Sequence, residues 1–341
     1  MERLSKTKTA IVLFNLGGPD CPEAVEPFLF NLFNDKAIIG APGPIRWLLA
    51  KYISKKRAPV AREIYAHLGG RSPLLPQTEA QAKALELALG EGYRCFIAMR
   101  YWHPLTDETV TAVKAWAPDE IILLPLYPQF SGTTVGSSMG EWHREARRQG
   151  LNVPTRGICC YPDHRDLIAG FADLVGKGFA EASVTGRPRV LFSAHGLPKT
   201  VIEAGDPYQA QVEITAKAVV EGLNLPGLDW VVCYQSRVGP MEWIGPSTES
   251  ELQRAGRDKV PVVVVPIAFV SEHSETLVEL DIEYRHRAVE WGVPAYVRVA
   301  ALGCHPRFIA ALAELIVHPV AIGAGFCKRA GRTCPGVGLA C

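Results

Sequence analysis

The chain has almost no net charge: 36 Lys and Arg stand against 35 Asp and Glu in 341 residues, a formal balance of +1. It lacks the basic excess of a protein that grips nucleic acid through its phosphates. No block of like charge marks an interaction tail either. An apolar leader is also missing, since Met1-Glu2-Arg3-Leu4-Ser5-Lys6-Thr7-Lys8 is polar and runs into a strand-like segment, so no secretory signal is read. Long apolar runs are scarce. Residues 260–270 are broken by Pro261 and Pro266, and 308–326 carry Glu314, His318 and Pro319. A spanning helix needs about 20 mostly apolar residues. Nine cysteines, an odd count spread along a large chain, do not make a disulfide framework. A soluble, cytoplasmic protein is the expectation. What is present is a 48% hydrophobic content, ample for a buried core, over a length that suits about two domains.

Residues 9–19, 93–104 and 120–128 each read as a short apolar run ending in a Pro-marked loop, the pattern of strands buried on both faces. Helical patterns at 79–89 and 107–116 separate them, which is the alternation of βαβ units. Residues 189–198, 229–240 and 262–269 repeat that order. The sequence therefore predicts an α/β chain of two similar domains, each with a parallel sheet flanked by helices. The expected spans are 1–165 and 166–305, followed by a C-terminal helix and Cys-bearing extension at 306–341.

Val12 to Pro104 spans 92 positions and Val190 to Pro240 spans 50, so the first half holds a surplus of 42, placed at about 25–75. Within it, residues 45–57 form an amphipathic pattern of Trp47, Leu48 and Tyr52 with basic residues. A helix packed on its own domain is the plainer reading; a lip over a cleft that touches membrane is the other.

In open α/β sheets ligands bind beyond the carboxyl ends of the strands. Gly17-Gly18-Pro19 follows the first strand without a G-x-G-x-x-G or G-K-[ST] pattern, and Pro19 has no N–H for a phosphate, so a dinucleotide site is not expected. These glycines are expected to let the backbone turn sharply and approach a flat ligand. The second half places His195, Gln235-Ser236-Arg237 with Trp243, and Ser271-Glu272-His273-Ser274-Glu275 at its strand ends. Ionisable groups thus gather in the second domain. From about 271 a helix is expected, with Leu277, Leu280 and Tyr284 buried and Glu275, Glu279 and Glu283 along another face. A solvated acidic face is the plain account of those glutamates. A His beside a ladder of carboxylates also suits proton uptake or loose binding of a divalent metal.

Leu13-Phe14-Asn15-Leu16-Gly17-Gly18-Pro19, Arg100-Tyr101-Trp102-His103-Pro104, Ser193-Ala194-His195-Gly196-Leu197-Pro198, Tyr234-Gln235-Ser236-Arg237-Val238-Gly239-Pro240, His273-Ser274-Glu275-Thr276-Leu277 and Leu280-Asp281-Ile282-Glu283-Tyr284 together resemble the ferrochelatase family, in register from about 9 to 318. The resemblance implies two Rossmann-like domains with an active-site cleft between them, and insertion of ferrous iron into protoporphyrin IX with no organic cofactor. It implies that His195 accepts a pyrrole proton or ligates incoming iron, that Glu275 partners it as a second metal ligand, and that His273 lies nearby. Glu279 and Glu283 would continue a proton or metal path. Leu16, Tyr101, Tyr127 and Trp243 become candidate porphyrin contacts, and Arg100 and Arg237 candidate partners of its propionates.

The tail thiols Cys327, Cys334 and Cys341 have six residues between each successive pair. The resemblance implies a [2Fe–2S] cluster needing four thiolates, three from this tail and a fourth from Cys159 or Cys160. Zinc is the alternative, and unligated thiols the plain reading. A chelatase for coproporphyrin or another tetrapyrrole, and a non-catalytic tetrapyrrole carrier, are the competing functions.

Overall fold

Strand β1 (Thr9–Asn15) is buried along all seven residues, so its run of Ala, Ile, Val, Leu and Phe must be covered on both faces. It pairs in parallel with β2 (Tyr93–Met99) on one side and β3 (Glu120–Pro125) on the other, and β3 carries the short β4 (Thr155–Gly157). The second sheet is built the same way from β5 (Arg189–His195), β6 (Asp229–Gln235), β7 (Val262–Pro266) and β8 (Tyr296–Arg298). The orders are β2-β1-β3-β4 and β6-β5-β7-β8. This computed structural model describes residues 7–237 and 241–318.

Among the described residues, one unit comprises 7–160 with 312–318, and the other 161–311. The first division falls five residues before the expected position. Of the terminal helix Pro306–Val317, residues 306–311 fall in the second unit and 312–317 in the first, and 319–341 of the expected extension lie outside the described residues. The six anticipated strands are present. β4 and β8, each at one edge of its sheet, are three residues long, too short to leave an apolar run in the sequence.

The first unit's surplus consists of helices Val25–Phe33 and Gly43–Ala66, between β1 and the helix Leu74–Leu89 that precedes β2. The longer one turns the usual amphipathic pattern around. Ala50, Ser54, Ala58 and Tyr65 face inward and are buried, the first three small enough to let its backbone approach Val25–Phe33 closely. Leu48 and Tyr52 remain 63% and 65% exposed, with Ile45 and Leu49 also outside. Among the described residues no helix is long and apolar enough to cross a membrane.

Each unit also has a widened helical segment after its third strand, with i→i+5 geometry. In the first it is Gly132–Gly136, continuing as the α-helix Ser137–Arg148. In the second it is Glu275–Glu283, continuing as Tyr284–Glu290. Such turns are rare and concentrate at functional sites.

Candidate active site

His195 is the last residue of β5, where the sheet delivers its side chain beyond the strand's carboxyl end. Its Nδ1 lies 2.8 Å from Glu275 Oε2, on the first turn of the widened helix after β7. One turn on, Glu279 receives hydrogen bonds from the Ser236 amide at 2.9 Å, the Ser236 hydroxyl at 2.5 Å, the Gln235 side-chain amide at 3.1 Å and the Tyr284 hydroxyl at 3.2 Å. Ser236 Oγ also reaches Glu275 Oε2 at 3.4 Å. Both carboxylates are thereby held by the loop that follows β6.

That loop is strained in order to do so. Ser236 adopts φ +59°, a left-handed conformation that residues with a Cβ rarely take. Behind it a buried polar chain fixes Gln235. The Ser193 hydroxyl donates to Gln235 Oε1 at 2.8 Å and lies 2.8 Å from Thr248 Oγ1. With its carbonyl oxygen taken up by Ser193, Gln235 must turn its NH2 group toward Glu279 and the Glu275 carbonyl.

The environments push the titrating groups apart. Burial disfavours the His195 imidazolium, but Glu275, with Glu279 behind it, outweighs that cost and raises the histidine's pKa. Burial likewise penalises the Glu275 carboxylate, yet His195, His273 and Ser236 hold its pKa well below the ordinary range. Glu279 goes the other way, raised by burial and by the adjacent Glu275 charge, with the Ser236 donors offsetting part of the rise. His273 is buried, its pKa lowered by desolvation against the pull of Glu275 and Glu272. Its ring packs 4.6 Å from that of Phe269 between centroids. The shifts favour the charged form of Glu275, readier proton uptake by His195 and by Glu279, and the neutral form of His273. Two carboxyls with diverging pKa values are an arrangement for acid–base work.

His195, Glu275, Glu279 and His273 are thus brought together. Glu283 is exposed at the end of the widened segment. Of the expected apolar stripe, Leu280 and Tyr284 are buried, but Leu277 is only half-buried, and Thr276 and Val278 take the inward positions, because the wider turn shifts the helical period. Ser236, Gln235 and Tyr284 were not anticipated as partners of the carboxylates. Only Gln235 and Ser236 carried a signal, their place just beyond a strand end.

Elsewhere in the second unit, Trp243 is half-buried beside Gly196, where an added Cβ would lie 3.4 Å from its ring, 3.2 Å from Arg237 Cγ and 3.0 Å from the Gln235 carbonyl oxygen. Arg237 is exposed.

The first unit arranges its strand ends differently. Arg100 follows β2 and forms a 2.9 Å ion pair with Asp35, while its Nε donates to Ser137 Oγ at 2.7 Å. Its guanidinium, expected to seek a ligand carboxylate, already has one within the unit. Tyr101 needs a firmer correction as a ligand contact. Its side chain is 1% exposed, packed in a core cluster, and its hydroxyl donates to Asp35 at 2.8 Å. Tyr127 is half-buried, its hydroxyl raised in pKa by burial. Leu16 is half-buried against the same cluster as Tyr101.

The glycines expected to approach a ligand serve internal packing as well. Gly17 has φ +85°, and a Cβ there would stand 3.0 Å from the Trp102 amide nitrogen; one on Gly18 would meet Ser72 at 2.5 Å. Cys159 and Cys160 are buried just after β4, whereas Cys327, Cys334 and Cys341 lie outside the described residues.

The ferrochelatase family profile matches residues 8–319. A ferrochelatase of Caulobacter vibrioides is 56% identical over 314 residues, covering 91% of this chain and 89% of its own. The ferrochelatase of a Wolbachia from Drosophila simulans is 53% identical over 315 residues, covering 91% and 99%. Among solved structures, SirB from Bacillus subtilis with Fe3+ aligns with a TM-score of 0.56 at 13% identity, covering 94% of this chain and 98% of that one, a likeness of fold alone.

Proposed function

The chain belongs to the ferrochelatase family, and from that premise we infer that it inserts ferrous iron into protoporphyrin IX to give haem, a metal-chelatase reaction of the lyase class. The observation that carries the chemistry is the 2.8 Å contact between His195 and Glu275 with Glu279 directly behind. Insertion exchanges one Fe2+ for the two pyrrole protons and transfers no electrons. It therefore needs proton acceptors and oxygen or nitrogen ligands that release the metal readily.

With Nδ1 directed at Glu275, the other ring nitrogen of His195 is left to meet a pyrrole N–H. The ionised Glu275 stabilises the imidazolium once the proton has arrived, the ordinary service of a carboxylate to a catalytic histidine. Glu279, with its raised pKa, can take a proton in turn, and Glu283 at the exposed end of the segment leads outward. His195 and Glu275 are also the pair best suited to hold the incoming metal. Zinc favours such N/O ligands at least as strongly as ferrous iron, so zinc insertion in vitro is expected. The remaining ligand contacts, Leu16, Tyr127, Trp243 and Arg237, are assigned on the same family footing. The direct test is an anaerobic assay with ferrous iron and protoporphyrin, following the absorption change. One-for-one binding without turnover would remove the enzyme reading in favour of a carrier.

Two finer assignments accompany it. Peripheral contact with a membrane is supported by the outward Ile45, Leu48, Leu49 and Tyr52 on a helix that also carries exposed Lys51, Lys55, Lys56 and Arg57. Leu48→Glu should abolish co-sedimentation with anionic vesicles; equal binding by the variant removes the idea. A [2Fe–2S] cluster on Cys327, Cys334, Cys341 and Cys159 is supported by the tail's three thiols in sequence and by Cys159 as a buried fourth. Purified protein without stoichiometric iron and sulfide would rule it out.

A further inference from the structure

The widened helix is held from behind as well as from the loop after β6. Arg298, the last residue of β8, is 10% exposed, and its guanidinium faces two carboxylates. Nη1 donates to Glu272 Oε1 at 2.8 Å, and Nε forms an ion-pair contact with Asp281 Oδ2 at 3.2 Å, outside hydrogen-bond geometry. Glu272 stands three residues before Glu275, and Asp281 two after Glu279, so one side chain spans the stretch that carries both site carboxylates. Glu272 Oε1 also accepts the Ala301 amide at 2.9 Å. Arg285 bonds Asp281 from the far side at 2.5 Å and the Tyr296 carbonyl at 2.7 Å, and the Tyr296 hydroxyl donates to the Leu280 carbonyl at 2.5 Å, inside the widened segment.

A part-buried charge cluster of this kind is a weak source of stability, because desolvation and solvent screening offset most of its Coulombic gain. Apolar side chains would hold a helix against a strand as firmly. What they cannot supply is register. A guanidinium hydrogen-bonded to Glu272 and ion-paired with Asp281 ties both ends of the stretch to one point on β8, and a segment with i→i+5 turns has more need of outside definition than an α-helix.

We propose that Arg298 is a positioning residue for metal insertion: by clamping Glu272 and Asp281 it sets the places of Glu275 and Glu279 opposite His195. This rests on the catalytic reading of those carboxylates given above.

The test uses the full-length chain with Arg298→Gln, assayed for ferrous iron insertion and followed by hydrogen–deuterium exchange. The expected result is a kcat lower by about tenfold or more, a porphyrin KM within about twofold of wild type, and faster exchange confined to 275–283. Arg298→Lys, which keeps the charge but not the fork, should recover only part of the rate. Asp281→Asn should lose less, and the double variant no more than Arg298→Gln alone, since both act through one clamp. Unchanged exchange in 275–283 of a folded Arg298→Gln protein overturns the proposal, and so does acceleration spread evenly over 161–311. If Arg298→Gln does not fold, Asp281→Asn carries the same readings. Local acceleration with an unaltered kcat would leave the clamp standing and instead remove the catalytic role of Glu275 and Glu279.

Discussion

Asn15 and His195 occupy the same place in the two units. Each ends the first strand of its sheet, and each pairs with the last residue of the second strand, Met99 in one unit and Gln235 in the other. Asn15 is 5% exposed and fully engaged, donating to Thr78 Oγ1 at 3.0 Å and accepting the Leu16 amide at 2.8 Å. His195 keeps one ring nitrogen beyond its Glu275 contact. The next positions diverge likewise: Arg100 is neutralised by Asp35 from the loop between the first unit's extra helices, whereas Ser236 turns into a left-handed conformation to hold two carboxylates. After the third strand both units widen a helix, one with Gly and Thr, the other with Glu at every fourth position. One scaffold therefore serves two purposes. In the first unit the strand-end charges are spent on anchoring an insertion, and in the second they are left able to titrate.

The sharpest way to break that contrast is His195→Ala, expected to slow metallation by about 10²–10⁴-fold, the range for losing a positioned proton acceptor. A near wild-type rate in the absorption assay would sink the assignment. Arg100→Ala should act on stability instead. It leaves Asp35 buried without its countercharge, which costs about 3–5 kcal/mol, read by chemical denaturation. A folded Arg100→Ala protein that is stable yet inactive would show that the first unit's strand end serves chemistry after all. Gly17→Ala should cost about 1–2 kcal/mol for its positive φ alone, beyond the crowding at Trp102. Gly196→Ala, at the corresponding turn but without a positive φ, should cost less.

The smallest effect concerns acid. Burial by itself raises the Asp35 carboxyl, but Arg100 and the donors Ser137, Ala37 and Tyr101 together hold it below the usual value. Unfolded Asp35 then takes up its proton at a higher pH than the folded chain does. The stability it contributes is complete above the ordinary aspartate range and drains away as pH falls through the lowered folded value. Asp35→Asn should flatten the acid side of the stability profile by at most about one proton. An unchanged slope in denaturation series below neutral pH would show that the Asp35 cluster is not what the first unit relies on.

Much of this was legible in the chain. Apolar runs closed by Gly and Pro marked six of the eight strands, because burial on both faces forces a local composition. The recurrence of that order marked the second sheet. His195 and Glu275 could be singled out by their place beyond strands and by resemblance. Tyr101 could not be placed correctly, since a Tyr after a strand reads the same whether it meets a ligand or, as here, Asp35 from 66 residues away. Neither Asp35 nor Arg298 lay in a motif; each acquires its role from partners that another element brings.

The sequence alone determined the six longer strands, their repeated order and the family, for these depend on which side chains are apolar and on short, contiguous motifs. Tertiary structure decided which charges are consumed and which stay reactive: Arg100 against Asp35, Glu275 against His195, Glu279 beneath Ser236. An ionisable group's behaviour follows from its burial and from the charges a few ångströms away, and those distances exist only once the chain has folded.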